Sequence, residues 1–470
     1  MNPAFEVIQK IPIIDFYKYN GKRKIGRYVI CERKFIKAGN ASDSLSASDV
    51  TAVVAPLPET WTYADCVDWA ISNTTDIRCT LLNILQAEQD VAVAKDAWLP
   101  NVGFSTSHSY TNYPSPAGSR DGNTYNSSYG INANWTAWEG NVRKYRLESS
   151  RLLLQQQRLE GEDLEKTLRL SILQAYMNIM YAREAVEIAE QTLEVSNSQT
   201  LRAKRLMESG RTSKVDYAQI ESQQAQDAYN LVQAQNSLES ARLELKKILE
   251  LGLGYDLRVV DVSFNDADVL TPLPDKSMVF SAALGWLPEF RSNALNKDIY
   301  ANDVKAAKAG YLPTIALTGN VGTGYTTGGD KWGPQMGHNF NENIGVTLSV
   351  PIFDGNATKR AVAKARLAEL DYDLTQKTLL DNLSQTIESL YIDASNARAK
   401  YVAGKTRLEA ASLTNDLTSR QFELGLVNPL ELLTARNNYL NARLELLQSK
   451  YMAILAEKTI NFYATQDINF

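Results

Sequence analysis

"LRLSILQAYMNIMYAREAVEIAEQTL", Leu168 to Leu193, is the middle of a run from Asn141 to Ser209 that contains no proline and a single glycine, Gly161. At about 1.5 Å per residue, some 69 residues of helix make a rod roughly 100 Å long, far beyond the about 11–12 residues of a mean globular helix. Leu168, Ile172, Ala175, Ile179, Ala182, Val186, Ala189 and Leu193 step by four and three in alternation, a heptad stripe. Alanine at one seam position and larger aliphatics at the other let neighbouring helices approach closely and interlock. The remaining faces carry Glu, Gln, Arg, Asn and Ser, so most of the rod is wet. On this stretch alone, a structural coiled coil explains the pattern.

The rod occurs twice. From Asn356 to Leu424 the sequence again lacks proline and again has one glycine, Gly404. The flanks repeat as well: "AKDAWLPNV" (Ala94 to Val102) returns as "AKAGYLPTI" (Ala307 to Ile315), and "WTAWEGN" (Trp135 to Asn141) as "SVPIFDGN" (Ser349 to Asn356). Gly210, at the end of the first rod, returns as Gly425. The offset stays at about 213 to 215 residues, so the chain is two copies of one large unit and not a solenoid of small repeats.

Between "LP" and "GN" in each copy the period changes to two. Val102, Phe104, His108 and Tyr110, then Tyr125, Tyr129, Ile131, Ala133 and Trp135, alternate with small polar residues across the turn-rich "PSPAGSRDGN". In the second copy Ile315, Leu317, Val321 and Tyr325 are followed by a Gly-rich loop and then Ile344, Val346, Leu348, Val350 and Ile352. Hairpins are predicted over 101–138 and 313–353, with one apolar face and one polar face. Each strand reaches the about 9–11 residues that a tilted strand needs to cross a bilayer. A soluble hairpin on a core would alternate in the same way, but the flanking helices lead away and the chain offers no other apolar layer. Such faces need a partner sheet or lipid, and lipid tolerates no open strand edge. Four strands cannot close a barrel, since the smallest membrane barrels have about eight. The chain must then oligomerise, and the small polar inner face favours a trimer of twelve strands over a dimer of eight.

The rest of the chain fits around these parts. Residues 1–60 read as a leader-like segment and linker. The first 41 residues carry about +6 of a net charge of −5, leaving about −11 for the remainder, which argues against nucleic acid as a partner. A degenerate secretory leader and a basic soluble tail both remain open for this segment, because charges interrupt its apolar stretch. A short helix capped by Thr62 presents Tyr63, Cys66, Val67 and Ala70 on one side, and a second runs from Asp76 to Trp98 until Pro100 stops it. Return helices are predicted over 214–249 and 429–460, a connector over 252–276 with a strand at Leu257 to Val262, and a tail over 461–470. The first repeat thus covers 61–251 and the second 277–460. Cys31, Cys66 and Cys79 cannot all pair in one chain; Cys66 and Cys79 could close a loop, and two free buried thiols are the better reading. A mean hydropathy of −0.30 and the lack of a run of about 18 apolar residues leave any membrane role to the strands.

The arrangement resembles the TolC family of outer-membrane efflux ducts over nearly everything from Trp61 to Ile460. The residues that carry the resemblance are Leu99 and Pro100 with Leu312 and Pro313 before the hairpins, "PIFDGN" (Pro351 to Asn356) with its weaker copy "AWEGN" (Ala137 to Asn141), and the tip motif "FELGLVNPLELLTARNNYLNAR" (Phe422 to Arg443). It implies a mixed fold, a trimeric α-barrel of antiparallel coiled-coil helices hanging into the periplasm below a twelve-stranded transmembrane β-barrel. It also implies a homotrimer that docks with a periplasmic adaptor and an inner-membrane pump of RND or ABC type, and no covalent chemistry. The sequence agrees, since His108 and His338 lie in or near hairpins and no spacing suggests a cofactor, a metal or a nucleophile.

The resemblance also implies sites. Glu431 stands where an acidic ring would face the lumen, although a solvated helix face would carry the same residue. Asp216 stands where the first repeat carries a gate-linking acid. The family's Tyr and Arg partners for it are Phe422 and Val427 here, and its second acidic position is Thr434, so a salt-bridged gate gives way to a more apolar lock. Ser209, Gly210 and Arg211 at one tip, with Leu424, Gly425 and Leu426 at the other, are the expected adaptor contacts. A soluble coiled-coil scaffold is the alternative, and it has no use for four alternating strands of spanning length.

Overall fold

The computed structural model describes residues 58–115, 122–468 and 470. Most of the leader-like segment, with Cys31, lies outside the described residues, as does part of the first hairpin loop. In chain order the elements are α1 (Tyr63–Asn73), α2 (Thr75–Asp96), β1 (Asn101–Asn112), β2 (Asn123–Trp138), α3 (Val142–Glu208), α4 (Lys214–Ile248), α5 (Asp266–Val269), α6 (Lys276–Trp286), α7 (Pro288–Lys308), β3 (Thr314–Thr326), α8 (Trp332–His338), β4 (Asn341–Ser349), α9 (Ala357–Glu423) and α10 (Pro429–Thr465).

The two rods, α3 and α9, have 67 residues each. Each is entered through the same elbow. Gly140 and Asn141 have φ of 63° and 66°, and Gly355 and Asn356 have 67° and 64°. Two successive left-handed residues turn the chain sharply from strand to rod, and glycine followed by asparagine is the pair that tolerates this at least cost. That is why "GN" recurs.

The helices form a wall. Along one flank of α3 lie α2 and α4, and along the other lie α7 and α10, which also pack on α9. Polar links mark these contacts: Arg158 to Glu88 at 3.1 Å for α2, Gln224 to Asn197 at 2.7 Å for α4, Gln156 to Asn296 at 2.7 Å for α7, and Lys450 to Glu184 at 3.0 Å for α10. Among the described residues, α4 packs mainly on α3 with a smaller contact on α10, and α9 packs mainly on α10 and α7.

The heptad stripe does its packing at mid-height. Ile172, Ala175, Ile179 and Ala182 are buried together with Trp61, Cys66 and Ala70 of the α1 region and Leu257 and Val259 of the connector. Fully burying one such isoleucine stabilises by about 1.5–3 kcal/mol. In the second copy Val279, Ala283 and Leu287 pack in the same way on Leu383, Ile387 and Ala394 of α9 and Ile460 of α10.

The sheet has four antiparallel strands in the order β1-β2-β3-β4. Its register puts Phe104 opposite Ile131, Ile131 opposite Val321, and Leu317 opposite both Trp135 and Val346, so one face is largely apolar, interrupted on β4 by Glu342 opposite Val321. The other face carries Ser, Thr, Asn, Gly and Ala alone. There Asn132, Asn320 and Asn343 are in register, Asn320 donates to Asn132, and Asn132 donates to Ser105 at 2.9 Å. A bulge after Thr136 brings Trp138 opposite Ile315, onto the apolar face.

Several sequence expectations need correction. β4 ends at Ser349 and not near Ile352, because Pro351 has no N–H to give a ladder. The connector forms no strand. Val259 makes a single bridge to Trp61, closed by Trp61 N to Arg258 O and Val260 N to Trp61 O, both 2.8 Å. α10 continues to Thr465, held by the burial of Phe462 and by the Trp286 indole donating to Tyr463 O at 3.0 Å. The remaining tail is also engaged, with the Phe470 ring 5.0 Å from Tyr63 and 5.5 Å from Tyr176. Cys66 is buried and Cys79 exposed, and neither forms a disulfide. The exposed thiol follows from α2, which buries only Ala87 and Val91. No described helix is long and apolar enough to cross a membrane.

Candidate functional site at the helix tips

Both rods end in the same backbone motif. At the first, Gly210 N bonds Met207 O at 3.0 Å and Arg211 N bonds Leu206 O at 2.9 Å; at the second, Gly425 N bonds Phe422 O at 3.0 Å and Leu426 N bonds Gln421 O at 2.9 Å. This paired closure requires a left-handed residue, and Gly210 and Gly425 have φ of 73° and 74°. The side chains it displays differ. Ser209 and Arg211 give the first tip a polar surface, whereas Leu424 and Leu426 are 75% and 70% exposed at the second. An ion pair of 2.6 Å between Arg202 and Glu423 ties the ends of the two rods together.

The predicted gate acids turn out to cap the return helices. Ser213 is the N-cap of α4, and the Asp216 carboxylate accepts from Ser213 Oγ at 2.7 Å and from Ser213 N at 3.2 Å. Asn428 is the N-cap of α10, accepting from Glu431 N at 2.9 Å while its amide donates to Glu431 Oε1 at 3.1 Å. Pro429 occupies the first helical position. Asp216 and Glu431 are thus corresponding residues of the two repeats, each sitting where the helix dipole favours an anion. Phe422 and Val427 are half-buried. Thr434 spends its hydroxyl on Leu430 O at 2.8 Å. Within one chain these residues are brought to one end of the wall, but the described hydrogen bonds and ion pairs do not join Asp216 to Phe422, Val427 or Thr434.

The polar group that does join the hairpins was missed by sequence reasoning. Arg436, two turns into α10, is buried, and its guanidinium donates to Thr192 O at 2.6 Å, Gln199 Oε1 at 3.0 Å and Ser196 Oγ at 3.2 Å, all on α3. It also pairs with the buried Asp227 of α4 at 3.0 Å. Burial lowers the pKa of Arg436, and the Asp227 charge opposes that shift. The available signal was an arginine one step from Ala435 on the buried stripe that also holds Leu432 and Ala442. Among the described residues no group of three or more His, Cys, Asp or Glu could hold a metal ion.

A tandem pair of rods joined to four strands, with matching elbows and tips, can be compared with known proteins. The model of the outer membrane efflux protein family matches residues 67–250 and 279–464. The chain belongs to this family. The two matched segments of the outer membrane efflux protein coincide with the two repeats, and the resemblance to TolC-like ducts is thereby established. Among relatives, it is 24% identical over 427 residues to outer membrane efflux protein BepC of Brucella suis, covering 88% of this chain and 87% of that one. It is 22% identical over 390 residues to outer membrane protein TolC of Escherichia coli, covering 80% and 76%. Among solved structures, the CmeC outer membrane channel of Campylobacter jejuni superposes with a TM-score of 0.70 at 17% identity, covering 86% of each chain.

Proposed function

We propose that this outer membrane efflux protein is one protomer of a homotrimeric exit duct of a tripartite efflux or type I secretion system. The family is one of channels and not of enzymes. The observation that carries the reading is the sheet, whose β1 and β4 edges are unpaired and whose apolar face is bare among the described residues, with Phe104, Ile344 and Val346 at 69%, 87% and 69% exposure. Three such sheets close twelve strands and leave no edge in lipid. Aromatic residues border the apolar face at both ends, Tyr110 and Tyr125 at one and Trp135, whose indole donates to Trp98 O, at the other. Ten residues of strand separate Tyr125 from Trp135, about 34 Å along the strand, which a tilt of about 45° reduces to the roughly 25 Å apolar band of an outer-membrane barrel.

The polar face then lines an aqueous lumen, and the wall of rods continues it as a tunnel in the periplasm. Leu424, Gly425 and Leu426, with Ser209, Gly210 and Arg211, contact a periplasmic adaptor, which links the duct to an inner-membrane pump of RND or ABC type. Glu431 forms an acidic ring at the closed end, and Phe422 and Val427 give that end an apolar lock. Negative-stain microscopy of protein extracted from membranes with detergent tests the reading. The expected particle is a threefold cylinder over about 100 Å long with a detergent belt at one end. Thin solid rods recovered from the soluble fraction without detergent would replace the duct with a scaffold.

A further inference from the structure

Beside the connector, the packing of α3, α9 and α10 leaves a cleft of about 540 Å³, closed on its fourth side by residues 261–266. That size falls within the roughly 300–1,000 Å³ of small-molecule sites. Ile188 and Leu447 form its buried apolar floor, and Leu408, Leu446 and Phe264 line it half-buried. Most of the charges around this floor are paired. Arg183 meets Asp261 at 3.1 Å, Lys450 meets Glu184 at 3.0 Å, and Asp266 is held by Lys405 and the Tyr401 hydroxyl.

Glu187 and Arg443 are the exceptions, two lining residues of opposite sign that have no ion pair among the described residues. They stand on facing walls, Glu187 on α3 and Arg443 on α10, with one carboxamide between them. Gln191 Oε1 accepts from Arg443 at 2.6 Å, and Gln191 Nε2 donates to Glu187 Oε1 at 3.1 Å. Most of their capacity is unspent, since a guanidinium carries five donors and a carboxylate about four acceptor sites. Gln191 thus keeps apart two charges that attract each other. The lining is left with one cationic and one anionic group to satisfy, side by side above an apolar floor.

We propose that this cleft binds a small zwitterion with an apolar body, a dipeptide with aliphatic side chains, its ammonium on Glu187, its carboxylate on Arg443 and its side chains over Ile188 and Leu447. The two ends of such a molecule complement what the lining leaves unmatched. A plain anion would meet Glu187 as a like charge, and a plain cation would meet Arg443 in the same way. An uncharged apolar molecule would strip water from both groups and return no hydrogen bond to either. Charge-assisted hydrogen bonds at the two ends fix the orientation of the ligand, and burial of its side chains on the floor adds affinity. A bound dipeptide touches α3 and α10 at once, two turns along α10 from Arg436, and braces the same seam. The site lies within one chain, so the inference goes beyond the duct reading and does not depend on it.

The test is calorimetric titration of the detergent-purified full chain with Leu-Leu, with circular dichroism of each variant to verify folding. One dipeptide per chain is expected, with slower hydrogen exchange in peptides covering 183–191 and 443–450. N-acetyl-Leu-Leu, which lacks the ammonium, and Leu-Leu amide, which lacks the carboxylate, should each bind at least about tenfold more weakly. Glu187→Gln should lose the preference for the free amine over the acetylated form and keep the preference for the free carboxylate. Arg443→Met should do the reverse, and this crossed pattern ties the binding to these two residues. Neither heat nor exchange protection at about 1 mM Leu-Leu overturns the site. So do blocked forms that bind as well as the free dipeptide, or both preferences surviving in both variants.

Discussion

Replacing Arg436 by methionine should loosen the lower part of the tunnel wall more than any change at the exposed tips. Arg436 is 4% exposed and Asp227 1% exposed. Methionine keeps the packing of the aliphatic stem but removes three hydrogen bonds to α3 and the 3.0 Å ion pair. It leaves the Asp227 carboxylate buried with the Gln223 amide, at 2.9 Å, as its remaining described partner. Breaking a buried pair from one side costs about 3–5 kcal/mol, because the surviving charge is uncompensated. Removing both charges costs far less. In Arg436→Met/Asp227→Ala the new alanine matches Ala442, which the other hairpin already buries at the corresponding position. Hydrogen exchange with mass spectrometry reads local opening directly. Peptides covering 188–200, 220–232 and 429–443 should exchange more than about a hundredfold faster in the single variant, the equivalent of about 3 kcal/mol, and return near the wild-type rate in the double. Exchange within about threefold of wild type in the single variant, or a double as fast as the single, would refute the buried pair as the clamp between hairpins.

The two elbows predict unequal tolerance. A Cβ at Gly140 would lie 2.9 Å from Ala309 Cβ and 3.1 Å from Leu312 Cδ1, whereas at Gly355 it meets open space. Gly355→Ala should cost only the left-handed strain of about 1–2 kcal/mol, and Gly140→Ala clearly more, read as the temperature at which the folded form is lost on unheated gels. Thiol labelling of the folded protein should modify Cys79 and spare Cys66, whose pKa burial pushes up to about 12 from 9.0. Tyr176, also raised by burial, stands at about 12 from 10.0. Both groups are neutral in the fold and ionise more easily once unfolded, so their stabilisation is whole below pH 9 and is lost as pH rises from 9 towards 12. Thermal melts across that range should fall, and a Cys66→Ala variant should show a shallower alkaline slope. In the sheet, Phe104→Lys should lower the folded fraction in vesicles, at about 2–4 kcal/mol for a lysine deep in lipid, while Ser107→Lys on the opposite face should fold normally.

Much of this architecture is visible in the residues because its signals are long. A heptad sustained through Leu168–Leu193 and an alternation sustained through Tyr125–Trp135 each outlast the chance matches that blur short elements. Duplication supplied a second reading of every part, and the recurrence of "GN" located elbows whose left-handed geometry no periodicity encodes. The misses have local causes. The connector around Val259 is β-branched, yet only Trp61 offers it a strand edge, so propensity had nothing to pair with. Phe462 extends α10 because the core below it has room, which depends on α6 and not on the residues beyond Ile460. Asp216 and Glu431 were legible as acids near the tips, but their capping bonds depend on Ser213 and Asn428 three residues earlier. Arg436 and Asp227 stand far apart in sequence on different helices, and only the three-dimensional seam brings them together.

The neutral lining of the sheet bears on how anything leaves the cell. Asn132, Asn320 and Asn343 share one level of the polar face, and threefold closure would gird the passage with their amides. Amides and hydroxyls offer donors and acceptors in equal measure and no net field, so a departing solute trades its hydration for similar bonds at the wall. Entry to this last segment is then close to free of cost, and so is exit. A ring of charges would hold ions of one sign as a trap holds them, slowing release at the final step. An uncharged wall behaves as extended solvent, and the rate of discharge through it is governed by the width of the passage and by diffusion.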